Sequence, residues 1–414
     1  MTDAAPALSP ADENRALIRI GAGAAIFAGA FLSGFVIAEP APYEVYLAGL
    51  IGIWALFGLR LPAAIAPLIA LLVLLNLGRL VSMLTMPDWG QAPLHLAVST
   101  FLAITAMFFA AVIAADHRRL GNIMAGYMAA AVLTATLGIV GYFGLVPGTE
   151  VFTRYGRAMG AFQDPNVFAP FLALPATWCL YGVLTRPVAG ALWRLVPLTI
   201  VSFAIFLSFS RAGWGLYVVC ALLLTTFVLA ASPSRRYRLR VFLMATGALA
   251  AVTLALLVAV QFDVVRDMLV ERARLVQDYD GARLGRFARH AIGLLAATEQ
   301  PLGTGVLQFG HIYGEDPHNI FLKTLTDYSW LGFAAYLTLV VWTLGAGLRI
   351  AFRDRPWQPY LVCALVVFFG HMLVGLVIDT DHWRHFFLLL GMIWGCIALE
   401  ARHSAANPQT PARY

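Results

Sequence analysis

Apolar runs of roughly 17–25 residues, the length an α-helix needs to cross the hydrocarbon core of a bilayer, recur along almost the whole chain. Of its 414 residues 60% are hydrophobic and 12% are charged, with a mean hydropathy of +0.78. A soluble domain keeps about 25% charged residues to stay hydrated. Strand-like alternation is absent, so helices must satisfy the backbone inside lipid. The expected fold is an all-α polytopic membrane protein with about twelve spans. They fall at 20–38, 43–59, 62–84, 94–115, 122–146, 167–184, 192–209, 214–231, 241–261, 330–348, 361–378 and 386–399.

Arginine placement orients these spans, because loops on the cytoplasmic side are rich in basic residues. With Arg15 and Arg19 inside, the inside loops carry Arg60, Arg118 and Arg119, Arg186 and Arg194, the cluster Arg235, Arg236, Arg238 and Arg240, and then Arg349, Arg353 and Arg355. The loops at 39–42 and 87–93 carry none. The organisation is a cytoplasmic tail at 1–19, nine transmembrane helices over 20–261, an outer loop at 262–329, three helices over 330–400 and a cytoplasmic tail at 401–414. The first apolar run is too long for a signal-peptide core and is read as a retained span.

The net charge of +6 follows from these orienting arginines, so no nucleic-acid partner is inferred. Lys323 is the sole lysine. Cys179, Cys220, Cys363 and Cys396 lie inside apolar runs and read as small buried hydrophobes. No metal-ligand spacing is present. Asp379 and Asp381 are two apart but sit in a short outer turn, and Glu44 and Asp88 have no evident partner for metal binding.

Several outer-side arginines run against the charge bias. Arg154 and Arg157 precede Asp164-Pro165-Asn166, Arg211 sits in Ser208-Phe209-Ser210-Arg211-Ala212-Gly213, and Arg384 follows Asp379-Thr380-Asp381-His382-Trp383. Arg79 lies inside the third span. An intramembrane arginine is costly and marks a functional site, unless it snorkels to the headgroups. Asp164-Pro165-Asn166 is echoed by Asp316-Pro317-His318-Asn319. In each, Asp is a suitable N-cap and Pro a suitable first helical residue. Such helix N-termini favour phosphate, although capping alone accounts for the Asp-Pro pairs. Ser210 is placed to cap the eighth span.

Loops as long as 262–329 are usually functional or disordered, and helix-like periodicity favours function here. Residues 285–299 read as an amphipathic helix with Arg283, Arg286 and His290 on one face and Phe287, Leu294 and Leu295 on the other. Pro301-Leu302-Gly303-Thr304-Gly305 ends it. Lys323 and Asp327, four apart, are expected to pair. The polar stretch 316–328 reads as an extramembrane helical extension into the tenth span. Trp89, Trp330 and Trp383 suit an interfacial belt better than sugar stacking.

These segments resemble the O-antigen ligase and polysaccharide polymerase superfamily of bacterial inner membranes. Met159-Gly160-Ala161-Phe162-Gln163-Asp164-Pro165-Asn166 resembles its Gly-x-Phe…Pro-Asn lead-in to a span, and Ser208 to Gly213 its Ser-x-Ser-Arg-x-Gly turn. Arg286 with Pro301-Leu302-Gly303-x-Gly305 resembles its large-loop signature. His318-Asn319 followed by Leu331-Gly332 resembles the ligase His-Asn…Gly-x-x-Gly motif. Ser329 stands where its first Gly is expected, a departure that leans towards a polymerase or a superfamily-level assignment.

The resemblance implies glycan transfer from a polyprenyl-pyrophosphate carrier to a sugar hydroxyl at the periplasmic face, the acceptor being a glycan or lipid A core. It implies no cofactor and no metal. In the inverting mechanism expected on that basis, Arg211 and Arg286 hold the pyrophosphate and His318 is the base. Arg79, Arg154, Arg157, Arg283, His290 and Arg384 are further substrate contacts, with Asn166 and Asn319 as polar supports. The rival from another class is a polytopic transporter of a lipid-linked glycan or small anion. The repeated halves and interrupted helices of transporters are not evident, beyond the Asp-Pro echo.

Overall fold

A computed structural model describes residues 10–231, 234–273 and 286–407. It is an all-α polytopic membrane protein. The helices are α1 (Pro10–Leu32), α2 (Pro42–Leu56), α3 (Ala66–Met83), α4 (Ala92–Ala115), α5 (Arg119–Tyr142), α6 (Pro165–Thr185), α7 (Val188–Leu207), α8 (Arg211–Ala230) and α9 (Arg235–Ala259). Four shorter helices follow: α10 (Asp263–Ala273), α11 (Arg286–Glu299), α12 (Phe309–Tyr313) and α13 (Ile320–Asp327). The chain ends with α14 (Ser329–Ala351), α15 (Gln358–Val374) and α16 (Arg384–Ala406). A two-residue hairpin, β1 (Thr153–Arg154) with β2 (Arg157–Ala158), precedes α6.

Among the described residues, ten helices are long and apolar enough to cross a membrane, while α2 and α15 are apolar but shorter. Each of the twelve expected segments corresponds to one of these helices. The largest differences in bounds are at the ends, where α1 starts ten residues early and α16 runs on to Ala406.

α6 and α16 are largely enclosed by other helices, whereas α9 is mostly exposed, as a lipid-facing helix at the rim should be. α16 packs on α4, α6 on α7 and α8, α1 on α5, and α3 on α14. In hydrocarbon, such pairs gain from small residues that let backbones approach. Gly78 of α3 is the clearest case, since a Cβ there would lie 2.5 Å from the backbone of Gly332 in α14.

The described links 33–41, 84–91, 143–164, 208–210, 260–273, 286–328 and 375–383 gather at one end of the bundle. Short helices α10 to α13 lie there. The stretch after 316 is not a continuous extension of the tenth span. α13 is a separate buried turn, and the chain breaks into α14 at Ser329, whose φ is +62°.

Candidate active site

α13 packs under α11 because its cap and its apolar face agree. Asn319 caps it, its side chain accepting from the Phe321 and Leu322 amides at 3.1 Å, and the Ile320 amide donates to the Gly375 carbonyl at 2.7 Å. The expected Asp316-Pro317 cap is therefore displaced by three residues. His318, just before the cap, has a left-handed backbone with φ +48°, a conformation non-glycine residues hold only where the surroundings enforce it.

The His318 ring is enforced from both sides. Nε2 lies 3.1 Å from Glu315 and Nδ1 lies 3.8 Å from Asp379, with the side chain 36% exposed. Glu315 is in turn held by Arg289 of α11, and His290 reaches the Pro317 carbonyl at 2.9 Å. α11 thus braces the His318 loop through Arg289 and through His290, the latter a member of the expected cationic face. Arg286 opens this helix and its side chain lies outside the described residues, as does the whole of Arg283.

Behind His318 lies a buried charge network. Lys323 of α13 bridges Asp379 at 3.7 Å and Asp381 at 3.8 Å. Lys323 therefore pairs across the bundle, not with Asp327 as the i,i+4 spacing suggested. Asp381 also faces Arg79 of α3 at 4.0 Å, His95 of α4 at 3.9 Å and His382 at 3.0 Å. The Tyr328 hydroxyl donates to Asp381 and meets His95 at 3.1 Å. Ser99 bonds His382 at 2.8 Å.

The electrostatics divide the two carboxylates. Burial opposes charge on Asp381, but Lys323 and His382 outweigh it and hold the carboxyl well below its usual range. Burial raises Asp379, with Lys323 pulling the other way and Asp381 adding to the rise. Burial also opposes charge on Lys323, yet Asp381 and Asp379 hold its ammonium charged. The arrangement is a fixed ion pair, Lys323 with Asp381, and beside it a more basic carboxylate facing His318.

His95, Asp381 and His382 bring one ligand atom each within 4.8 Å of one another, as a metal would require. The fit is poor, because Lys323 and Arg79 already press positive charge on the same carboxylate.

The remaining expected residues are distributed as follows. Arg79 is 1% exposed, lies 4.0 Å over the Tyr328 ring and donates to Asn76 at 3.0 Å. It is neither snorkelling nor open to a pyrophosphate. Arg157 donates to the Ser208 carbonyl at 2.7 Å and to Asn166 at 2.8 Å, tying the hairpin to the α7–α8 turn and to α6. Arg154 donates to the Gln163 carbonyl at 2.8 Å. Arg384 is taken up by Glu39 and Glu44. Trp383 is 6% exposed and packed edge-on to His371 and tilted against His385, not at a belt.

Arg211 is the first residue of α8 and is half-buried. Ser210 caps that helix, accepting from the Gly213 amide at 3.2 Å, and Phe209 before it has φ +48°. Gly213 is required by packing, since a Cβ there would lie 2.5 Å from Ala169 Cβ. Asp164 likewise caps α6 through the Asn166 amide at 2.6 Å.

A cavity of about 210 Å³ lies between the α6 lead-in and the start of α16. Gln163 and Asp164 line it from the α6 lead-in, Glu39 and Arg384 from their ion pair, and His382 from the charge network. His385 also lines it, with a buried Nε2 that has no hydrogen-bond partner. Such a group is one that ligand or internal water satisfies.

The sequence reading missed Lys323, Asp379, Asp381, His382, His95, Tyr328, Arg289 and Glu315 as members of the site. The available signal was local: a run of Asp379, Asp381 and His382 in a short link between apolar spans, and a lone lysine. Residues 196–337 match the family model described as O-antigen ligase. No curated protein matches the chain significantly. The matched stretch holds the Ser208–Gly213 turn, the long loop, His318, Lys323 and Gly332; Arg79, His95, Asp379 and Asp381 lie outside it.

Proposed function

From the match at 196–337, which supports placing this chain in the O-antigen ligase family, we propose that it transfers a glycan from a polyprenyl-pyrophosphate carrier to a sugar hydroxyl. The reaction takes place at the periplasmic face of the inner membrane, in O-antigen ligation or polysaccharide polymerisation. The observation that carries the reading is His318, left-handed, partly exposed and held between Glu315 and the Lys323-backed Asp379.

A general base must be oriented, able to reach solvent-side substrate, and stabilised once protonated. Asp379 and Glu315 meet the first and third needs, and the exposed edge of the ring the second. In the proposed step the acceptor hydroxyl loses its proton to His318 while its oxygen forms a bond to the donor sugar's anomeric carbon. The bond from that carbon to the pyrophosphate oxygen breaks, and the electron pair leaves on the pyrophosphate. Attack opposite the leaving group inverts the configuration.

Arg211 and Arg286 are assigned to the pyrophosphate, where permanent, fork-shaped guanidinium groups stabilise growing negative charge without a metal. Arg79, Arg157 and Arg384 are assigned to holding the site together, from the partners each already has. Ser329 bears on the choice between ligase and polymerase. It stands where the ligase motif has Gly, and its φ of +62° is one a glycine adopts freely. The departure is therefore one of side chain and not of backbone path, and a ligase assignment is compatible with it.

Glycan profiling of a strain lacking the gene tests the reading. Long chains accumulating unattached on the carrier lipid identify a ligase, and single repeat units identify a polymerase. Unchanged surface and carrier-linked glycan would overturn both.

A further inference from the structure

At the end of the bundle opposite His318, α7 and α9 part over α6 and leave a lateral groove of about 550 Å³. Small residues make the hollow. Ala191, Gly247 and Ala248 line it, and a Cβ added at Gly247 would meet no atom within 4 Å. Leu192 and Leu243 line it with mostly exposed side chains, and Val183 of α6 forms its floor.

Its polar lining residues are two arginines, Arg236 and Arg240, one helical turn apart on α9. The Arg240 guanidinium is anchored on the Arg186 carbonyl, and its Nε is enclosed without an acceptor. No acidic residue occurs between Asp164 and Asp263, so at this end of the bundle α6 to α9 and their links carry Arg186, Arg194, Arg235, Arg236, Arg238 and Arg240 with no carboxylate of their own. Trp193, 81% exposed near the start of α7, marks the water–hydrocarbon boundary, where exposed indoles collect. The groove therefore runs from a cationic mouth at headgroup level into the hydrocarbon.

We propose that this groove seats an anionic diacyl phospholipid. One acyl chain lies along Leu192, Leu243 and Gly247, and the phosphate sits between Arg236 and Arg240. Charge complementarity selects an anionic headgroup over a zwitterionic one. The mouth's position excludes the glycan carrier, whose headgroup would have to lie at the other end of the bundle to reach His318. The inference stands whether or not the chain is a glycosyltransferase.

The test is native mass spectrometry of the purified full-length protein with equimolar phosphatidylglycerol and phosphatidylethanolamine. The wild type is expected to retain phosphatidylglycerol preferentially. Arg236→Ala should weaken that retention about fivefold, the scale of one arginine at an anionic lipid surface. Gly247→Leu, which fills open space on an exposed helix face, should abolish it with the melting temperature unchanged. Equal retention of the two lipids, or phosphatidylglycerol binding unaltered in both variants, would overturn the proposal. Displacement of phosphatidylglycerol by a lower concentration of undecaprenyl phosphate would overturn it as well.

Discussion

Lys323 concentrates the residue-scale physics of this molecule in one side chain. Its ammonium is buried, and it is tolerated there because Asp379 and Asp381 both face it. Removing one partner of a buried ion pair leaves the other charge without compensation, a loss of about 3–5 kcal/mol. Lys323→Met should therefore lower the melting temperature of the detergent-purified protein steeply, and adding Asp381→Asn should restore part of it. Asp327, on the same short helix, makes a separate prediction. Burial lifts its carboxyl from 3.8 to about 7, with Lys323 only partly opposing. The folded state thus keeps a proton that the unfolded chain gives up between those values, and stability falls as pH rises through that window. Asp327→Asn removes the titration. From pH 5 to pH 8 the wild type should lose more melting temperature than the variant; equal losses would remove Asp327 as the cause. None of this was readable from spacing. Lys323 and Asp327 are four apart and invite an i,i+4 pair, but the lysine's partners lie more than fifty positions away, and chain distance carries no information about such contacts.

At the scale of elements, the sequence exposed what is local and hid what is tertiary. The twelve apolar segments, the Asp164 and Ser210 caps and the α11 amphipathic helix were all visible, since each depends on neighbours within a turn or two. The start of α13 was not. Asp316 and Asn319 are both good caps, and the choice falls to Asn319 because Ile320 is buried and its amide meets Gly375. The break between α13 and α14 was hidden for the same reason. Ser329 takes a left-handed backbone there, next to the α3–α14 crossing where Gly78 and Gly332 nearly touch. Replacing Ser329 by Gly should leave stability unchanged or raise it by up to about 1 kcal/mol, because glycine enters the left-handed region without a Cβ clash. Ser329→Val should be destabilising by more than that, as a β-branched residue is the least tolerant of positive φ. Thermal denaturation of the pair settles the sign, and a valine variant as stable as wild type would contradict the stated cause.

The whole molecule is a membrane bundle, mostly lipid-facing at its rim, with a polar cluster at one end. The proposed orientation, drawn from arginine asymmetry, puts that end outside, and α11 braces it through Arg289, Glu315 and His290. The candidate site was half legible. His318 stood out by motif, while Asp379, Asp381, His382 and His95 joined it only when α3, α4, α13 and the α15–α16 link were brought together. Arg79 was singled out as a ligand contact, but it lies buried against Tyr328, an outcome that only the packed bundle could reveal. The central claim is that His318 removes the acceptor proton in glycan transfer from a lipid pyrophosphate. The most direct measurement is in vitro transfer by the purified protein, with a polyprenyl-pyrophosphate-linked glycan as donor and a lipid A core or carrier-linked glycan as acceptor, wild type beside His318→Ala. The account predicts metal-independent product from the wild type and a loss of about 10²–10⁴-fold in the variant, the range of general-base catalysis, at unchanged expression and membrane insertion. Near-normal transfer by His318→Ala, or no transfer by the wild type with either acceptor, would contradict it.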